Sequence, residues 1–501
     1  MSYEVSTSSR IAIIITFAVY SIGMIAIGLY SKKSMDRTAV EKYVDEFYTG
    51  GRGMGALVVA MMVAASLCSA GTFLGGPGLA YSVGLTWVMA GFSQIFMNFT
   101  VLGEIGKKVG IVARRVNAQS YLDLFVSRYN NNKFIGIFGV LSIIMFLGSY
   151  VVAQFIGGAR LFESMTGLSY TFGLVLFAGL VLITAALGGI KGVATAIVFQ
   201  GIVMTISVIT LFIATLNHLG PLQAVYKEII SMDPSVVTPW TWTPKYQFSM
   251  WVVYGLVYIG LPHGAMATLT YKDTKSMHKA IIMGVIFVLV WTLALIWTGS
   301  LGRFMFPDLK VADQIIPSIA IKVLPPWLAG LTLAGVAGAI QSTVGSMVII
   351  ISSTFVRNAY QSMINPKADS KTLKKVTIIS TVIICVGIFV LSINPPDALQ
   401  FMITFAIGGL GASFFWPLLL GVYWKRANEY GAAAGMVGGM ATYILGAGNY
   451  LPISMGMNAT VIALIVSGLL TVCVSMATPK PPKGIIMTWF GKSYPKVVSE
   501  Q

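Results

Sequence analysis

The sequence predicts an all-α integral membrane protein of about thirteen transmembrane helices. Three observations carry that reading. Of 501 residues, 56% are hydrophobic and only 10% charged, with a mean hydropathy of +0.81, so the chain cannot cover itself with polar surface. Its apolar residues form long runs, such as Ile11 to Tyr30, Leu168 to Leu187 and Ile281 to Leu301, each near the roughly 20 residues that span a bilayer as helix. The runs lack the two-residue alternation of a membrane barrel.

The third observation is where the net charge of +16 falls. Lys32, Lys33 and Arg37 follow the first run, and Lys107, Lys108, Arg114, Arg115 and Arg128 follow the third. Lys272, Lys275 and Lys279 follow the seventh, Arg357, Lys367, Lys371, Lys374 and Lys375 the ninth, and Lys425 and Arg426 the eleventh. Positive charge in alternate loops marks those loops as cytoplasmic and argues against a nucleic-acid surface, which would cluster on one folded domain. The first run is long, is followed by lysines and lacks a small-residue cleavage site, so it reads as a retained span with its N-terminus outside. Cys68, Cys385 and Cys473 lie in apolar stretches without metal-ligand spacing and read as core residues.

In order, the predicted spans are 11–30, 56–78, 83–105, 134–162, 168–188, 193–216, 249–271, 279–301, 326–356, 375–393, 400–423, 430–449 and 458–477. An odd number puts Lys480, Lys483, Lys492 and Lys496 in the cytoplasm. The longest loop, 218–248, is an outer segment whose Trp240 and Trp242 are expected at the membrane interface. No loop is long enough for a soluble domain, so 1–501 reads as one transmembrane unit. After the extra helix 11–30, ten spans divide into sets of five, 56–216 and 249–423, followed by two C-terminal helices over 430–477. In each set the third member is the longest. In each, the first is interrupted: Ser66-Leu67-Cys68-Ser69-Ala70-Gly71 with Gly75-Gly76-Pro77-Gly78, and then Gly255, Gly260 and Pro262. Broken helices at matching positions of two repeats point to a transporter's central site.

The middle of the spans holds no Asp or Glu; Glu104 and Glu163 fall at helix ends, and His263 is the one ionisable side chain expected at depth. A membrane enzyme or a proton-driven carrier needs titratable groups there. A sodium ion does not, because freed carbonyls and hydroxyls hold it. The candidate oxygens are the carbonyls of Ala65 and Cys68 and, on the ninth span, Ala339, Ser342 and Thr343; Ala339 and Ser342 share a helix face. The same Ala-x-x-Ser-Thr pattern also suits close helix packing, and these residues alone leave both readings open.

Six separated stretches carry a resemblance. They are Gly75-Gly76-Pro77-Gly78-Leu79-Ala80-Tyr81, Gln154-Phe155-Ile156-Gly157-Gly158-Ala159-Arg160-Leu161, Gly260-Leu261-Pro262-His263, Tyr271-Lys272-Asp273, Lys322-Val323-Leu324-Pro325-Pro326, and Phe415-Trp416-Pro417-Leu418-Leu419-Leu420-Gly421-Val422-Tyr423-Trp424. In that order and spacing, from about Glu46 to about Gly431, the chain resembles the sodium:solute symporter family, most of all its pantothenate-carrying branch. The resemblance implies a leucine-transporter-type 5+5 inverted repeat with one extra N-terminal and two C-terminal helices. It implies sodium-coupled import of a small organic anion through the inner (cytoplasmic) membrane, with sodium as the co-transported ion. It puts sodium on Ala65, Cys68, Ala339, Ser342 and Thr343, and substrate on Tyr254, Tyr258 and Pro262. The cargo is then expected beside the sodium, near Ser69, Thr72 and Phe73 of the first break and Gln154.

Two positions depart from the family. Ala196, Ile197 and Gln200 stand where it usually has Thr-Asp-x-x-Gln, which removes a carboxylate near a second cation site, and Ala267 stands where it often has arginine. Arg160 and Glu163 read as an ion pair or helix-end anchor, and His263 as a partner for a carbonyl exposed by Pro262. The alternatives are a symporter for another small carboxylate or amino acid, or a channel-like or sodium-sensing protein on the same fold.

Overall fold

The computed structural model describes residues 7–394, 399–450 and 454–491, apart from the side chains of Met165, 184–189, Gln400 and Phe401. Lys492 and Lys496 lie outside these residues. Apart from one bridge between Met54 and Tyr271, the described chain is helices and their connections. The first ten helices are α1 (Thr7–Asp36), α2 (Val40–Thr49), α3 (Ala56–Leu67), α4 (Gly71–Val83), α5 (Leu85–Arg115), α6 (Tyr121–Arg128), α7 (Lys133–Ser164), α8 (Tyr170–Ile183), α9 (Ile190–Leu219) and α10 (Leu222–Met232). They continue as α11 (Pro244–Gly260), α12 (Pro262–Leu269), α13 (Thr274–Met305), α14 (Ile315–Val323), α15 (Pro326–Ile364), α16 (Ser370–Leu391), α17 (Leu399–Tyr423), α18 (Glu429–Ala447), α19 (Ala459–Ala477) and α20 (Lys483–Phe490). Nine of the described helices are long and apolar enough to cross a membrane, eleven when each bent pair counts once. The expected spans 168–188 and 430–449 correspond to the shorter α8 and to the glycine- and alanine-rich α18.

Backbone helicity is continuous over Tyr170–Leu219. Yet Ile183 packs at Gly28 of α1 and Phe199 at Gly23. In straight helix the residues from Ile183 to Phe199 would span about 24 Å, and those from Gly23 to Gly28 about 7.5 Å. The chain therefore does not run straight between Ile183 and Phe199. α9 then lies antiparallel to α15: Val193 packs at Gly345, Gln200 at Gly338, and Ser207 Oγ donates to Leu331 O (2.9 Å). α15 is the centre of the molecule, its apolar window wholly buried.

Polar contacts sort the chain into two ends. At one meet Glu46 and Lys191 (2.6 Å), Asp123 and Arg357 (3.9 Å), and Arg115 and the Thr488 carbonyl (2.9 Å). At the other meet Asp233 and Arg303 (2.9 Å), Tyr170 and the Ser392 carbonyl (2.6 Å), and Thr86 and the Thr238 carbonyl (3.0 Å). The basic loops picked out by the positive-inside pattern gather at the first end. These three ion pairs lie at the ends, away from the depth where charge is most costly.

Two features differ from expectation. α2 is an amphipathic helix that the hydropathy runs do not show, burying Tyr43, Val44, Phe47 and Tyr48 while Glu46 pairs outward. In the segment 218–248 Trp240 is exposed, whereas Trp242 turns inward, edge-on to Trp87 (6.1 Å). Three bonds through Thr86 hold it there: Thr86 Oγ1 to Thr238 O, Thr241 N to Thr86 Oγ1, and Gln247 Nε2 to Thr86 O, each 3.0 Å. Hydrogen bonds from the Ser235 hydroxyl and amide, aided by Arg303, hold the Asp233 carboxyl below the usual range. This anchoring is complete at neutral pH and is lost only as pH falls below the ordinary aspartate value of about 3.9.

Between α4 and α5, Gly84 has φ +58° and ψ −131°, and a Cβ there would overlap the Val236 carbonyl. We expect Gly84→Ala to cost roughly 1–3 kcal/mol through backbone strain alone. The measurement is a lowered Tm of the detergent-purified protein, with residues 233–243 opened to protease.

Candidate functional site

Two helices break inside the bundle, α3 to α4 by 63° and α11 to α12 by 41°. The first break falls on a stretch in which Ser66, Cys68, Ser69 and Gly71 have low helix propensity. α3 stops at Leu67 and Cys68 is extended, with φ −82° and ψ 91°. Small residues also allow close approach: a Cβ on Gly157 of α7 would sit 3.0 Å from that of Ala70. The second break is made by Pro262, which lacks an N–H and forces Leu261 into extended backbone, φ −85° and ψ 122°.

At the first break α3 meets α15 through oxygen atoms. Ser342 Oγ donates to Ala65 O (2.8 Å) and to Ala339 O (2.9 Å), and Thr343 Oγ1 donates to Ala65 O (3.2 Å) and to Ala339 O (3.0 Å). Two carbonyls and two hydroxyls from separate helices thus form one compact, fully buried cluster. All four are neutral, and among the described residues no group of His, Cys, Asp or Glu could hold a metal ion. Cys68 is buried one turn on, its amide closing the last turn of α3 on Ala64 O (2.8 Å). Its carbonyl shares no hydrogen bond with the quartet among the described residues.

The candidate substrate residues divide into groups. Ser69 Oγ bonds the Tyr150 hydroxyl (3.2 Å), and Gln154, one turn beyond Tyr150 on α7, accepts from the Ala70 amide (2.8 Å). Tyr254 bonds Thr404 Oγ1 (2.9 Å) and stands edge-on to Trp87 (5.4 Å). Tyr258 is buried, and Tyr150, which bonds Ser69 at the first break, stands edge-on to His263 at the second (5.6 Å), so the two breaks meet. Thr72 donates to Gln94 (3.3 Å), whereas Phe73 packs on Trp291 of α13 (6.2 Å). Pro262 opens α12.

Sequence reasoning passed over Tyr150, Gln94, Trp87 and Thr404. Tyr150 was legible as the residue four before Gln154 on the same helix face; the others have no local signal. His263 bonds no carbonyl: both its ring nitrogens are buried and unpartnered, which corrects the expectation. Arg160 lines a small cavity with Asp313 and Gln314. Burial pushes the Asp313 carboxyl up and the Arg160 guanidinium draws it back, so Arg160 acts on Asp313. Ile197 is fully buried, and near it Gln341 Oε1 accepts from Tyr20 (2.9 Å) and Gln200 (3.3 Å), a neutral network where the family usually has a carboxylate.

Paired broken helices around neutral oxygens are the architecture of an ion-coupled membrane carrier. The comparisons with known proteins agree. A model of the sodium:solute symporter family matches residues 47–439, and the chain belongs to that family. It is 39% identical over 410 residues to a sodium/pantothenate symporter of Haemophilus influenzae, covering 80% of this chain and 84% of the relative. It is 34% identical over 439 residues to a sodium/pantothenate symporter of Escherichia coli, covering 87% and 90%. In fold it is similar to a substrate-bound, outward-open Na+-coupled sialic acid symporter, with a TM-score of 0.76 at 18% identity over 94% and 98% of the two chains.

Removing one of four cluster oxygens tests the site. Thr343→Ala is expected to raise the half-saturating sodium concentration for uptake at least about tenfold, equivalent to about 1.4 kcal/mol. Gln341→Leu, outside the quartet, serves as the comparison. An unchanged sodium requirement in Thr343→Ala would show that the cluster only packs helices.

Proposed function

We propose that this protein is a sodium symporter that imports pantothenate by alternating access, with sodium at Ala65, Cys68, Ala339, Ser342 and Thr343. The meeting of the Ser342 and Thr343 hydroxyls with the Ala65 carbonyl carries the reading, because it offers a cation neutral oxygens where a proton relay has no titratable group. Family membership and relatives named for sodium and pantothenate support the cargo. The proposed topology is thirteen spans in the inner membrane, N-terminus outside and C-terminus cytoplasmic. Its core is a 5+5 inverted repeat over 56–216 and 249–423, preceded by one helix and followed by two.

In this mechanism the hydroxyls of Ser342 and Thr343, which now donate to the two carbonyls, turn their lone pairs toward the arriving ion. The ion ties α3 to α15 and fixes the break in one arrangement. Pantothenate then binds beside it, at Ser69, Thr72, Gln154, Tyr254, Tyr258 and Pro262. Rings flanking an unwound backbone cover its apolar body while polar groups orient its ends. Phe73 belongs to the wall through its packing on Trp291. Each ligand prefers the same state, so each raises the affinity for the other by the same factor.

Ile197 and the neutral Gln341 network leave one sodium site, and one sodium with one monoanion moves no net charge. A tenfold sodium gradient, about 1.4 kcal/mol, then supports about tenfold accumulation. In proteoliposomes, an inward sodium gradient is expected to concentrate labelled pantothenate, and choline or potassium to abolish this. An imposed potassium diffusion potential should leave uptake unchanged. Competition by a panel of monocarboxylates and amino acids checks the cargo. Accumulation without sodium would refute the coupling, and a strong response to potential would refute the single ion.

A further inference from the structure

Where the two breaks meet, three buried polar atoms have no partner: both ring nitrogens of His263 and Nε2 of Gln154. His263 is 2% exposed and Gln154 fully buried. They share one neighbourhood. The His263 ring stands edge-on to Tyr150 (5.6 Å, 86°), Tyr150 bonds Ser69, and Gln154 lies one turn along α7 with its Oε1 held by the Ala70 amide. That last bond also fixes the amide's orientation and leaves Nε2 as the atom without a partner.

The backbone does not need His263. Gly260 O accepts from the Tyr121 hydroxyl (3.1 Å), Tyr258 O from the Leu261 amide (3.2 Å), and Leu261 O from the Ala265 amide (3.1 Å). The carbonyls of Tyr258, Gly260 and Leu261 are thus already paired. A buried polar atom without a partner costs about 1–3 kcal/mol, so three at one junction point to a ligand that completes them.

The chemistry of the three atoms selects that ligand. Gln154 Nε2 only donates, and suits a carboxylate or carbonyl oxygen. A neutral imidazole has an N–H on one side of the ring and a bare nitrogen on the other, so it needs an acceptor at the first and a donor at the second, and a group able to fill either place both accepts and donates. A hydroxyl does both. A carboxylate would face the bare nitrogen with another lone pair.

We propose that His263 determines specificity for a hydroxylated cargo: one of its ring nitrogens hydrogen-bonds a cargo hydroxyl while Gln154 Nε2 takes a carboxylate or carbonyl oxygen. The inference rests on the proposed transport of pantothenate and adds which groups of the cargo are read. It also supplies a polar recognition element in a chain with Ala267 where the family often has arginine.

The test uses the full chain in proteoliposomes, with labelled pantothenate competed by unlabelled pantothenate or by its analogue lacking the secondary hydroxyl. A site built around a hydroxyl rejects the deoxy analogue by a large factor, about 100-fold or more. His263→Leu should lose at least about tenfold of that preference with the sodium requirement unchanged, and His263→Gln, which keeps a donor and an acceptor, should retain most of it. His263→Met is read in the same way should the leucine variant not reach the membrane. A merely structural role would weaken both compounds equally. That outcome, or full preference in His263→Leu, overturns the inference. Absence of sodium-dependent pantothenate uptake in the wild-type protein would refute the transport reading itself and remove this inference with it.

Discussion

Where α3 stops at Leu67, the Ala65 carbonyl is met by the hydroxyls of Ser342 and Thr343, and much of the fold serves that meeting. In hydrocarbon every backbone polar group needs a partner within the protein, so a helix can be broken only where another element supplies one. α15 supplies it here. It must run through the middle of the bundle and come close to α3, which explains its burial and the glycines on its surface: Ser207 packs at Gly335, Gln200 at Gly338 and Val193 at Gly345. A larger residue at these positions would push α9 away and move the hydroxyls off the break.

Charge is arranged by the same constraint. The described ion pairs lie at the two ends, and the buried Arg128 is spent on helix-end carbonyls, donating to Gly421 O (2.7 Å) and Trp424 O (3.0 Å) at the C-terminus of α17. Arg426 does the same for α19 through the carbonyls of Met476 and Thr478. Cations at helix C-termini satisfy orphaned carbonyls and complement the helix dipole. The interior is thereby left with neutral oxygens, the condition under which a bound ion is the largest local charge and dominates the energetics of its site.

The apolar runs, the basic loops and both breaks were legible because each has a local cause: run length, charge position, and glycine or proline in the sequence. The oxygen quartet was legible only as two open readings, since Ala-x-x-Ser-Thr packs as well as it coordinates; what the sequence could not show is that the Ala65 carbonyl of another helix joins it. α2 escaped because its apolar residues form a stripe rather than a run. Trp242 was misread because its destination is set by Thr86, well over a hundred residues away in sequence. His263 was misread because the break carbonyls are paired by local amides and, at Gly260, by Tyr121 of another helix.

The central claim is that sodium acts at the first break, and Cys68, buried at that break, reports on it directly. In a protein whose other two cysteines, Cys385 and Cys473, are replaced by serine, the alkylation rate of Cys68 by a membrane-permeant maleimide is measured with sodium and with potassium. The account predicts that sodium changes the rate at least severalfold where potassium does not, and that Thr343→Ala abolishes the difference. Equal rates in the two ions, or a sodium effect that survives Thr343→Ala, would contradict it.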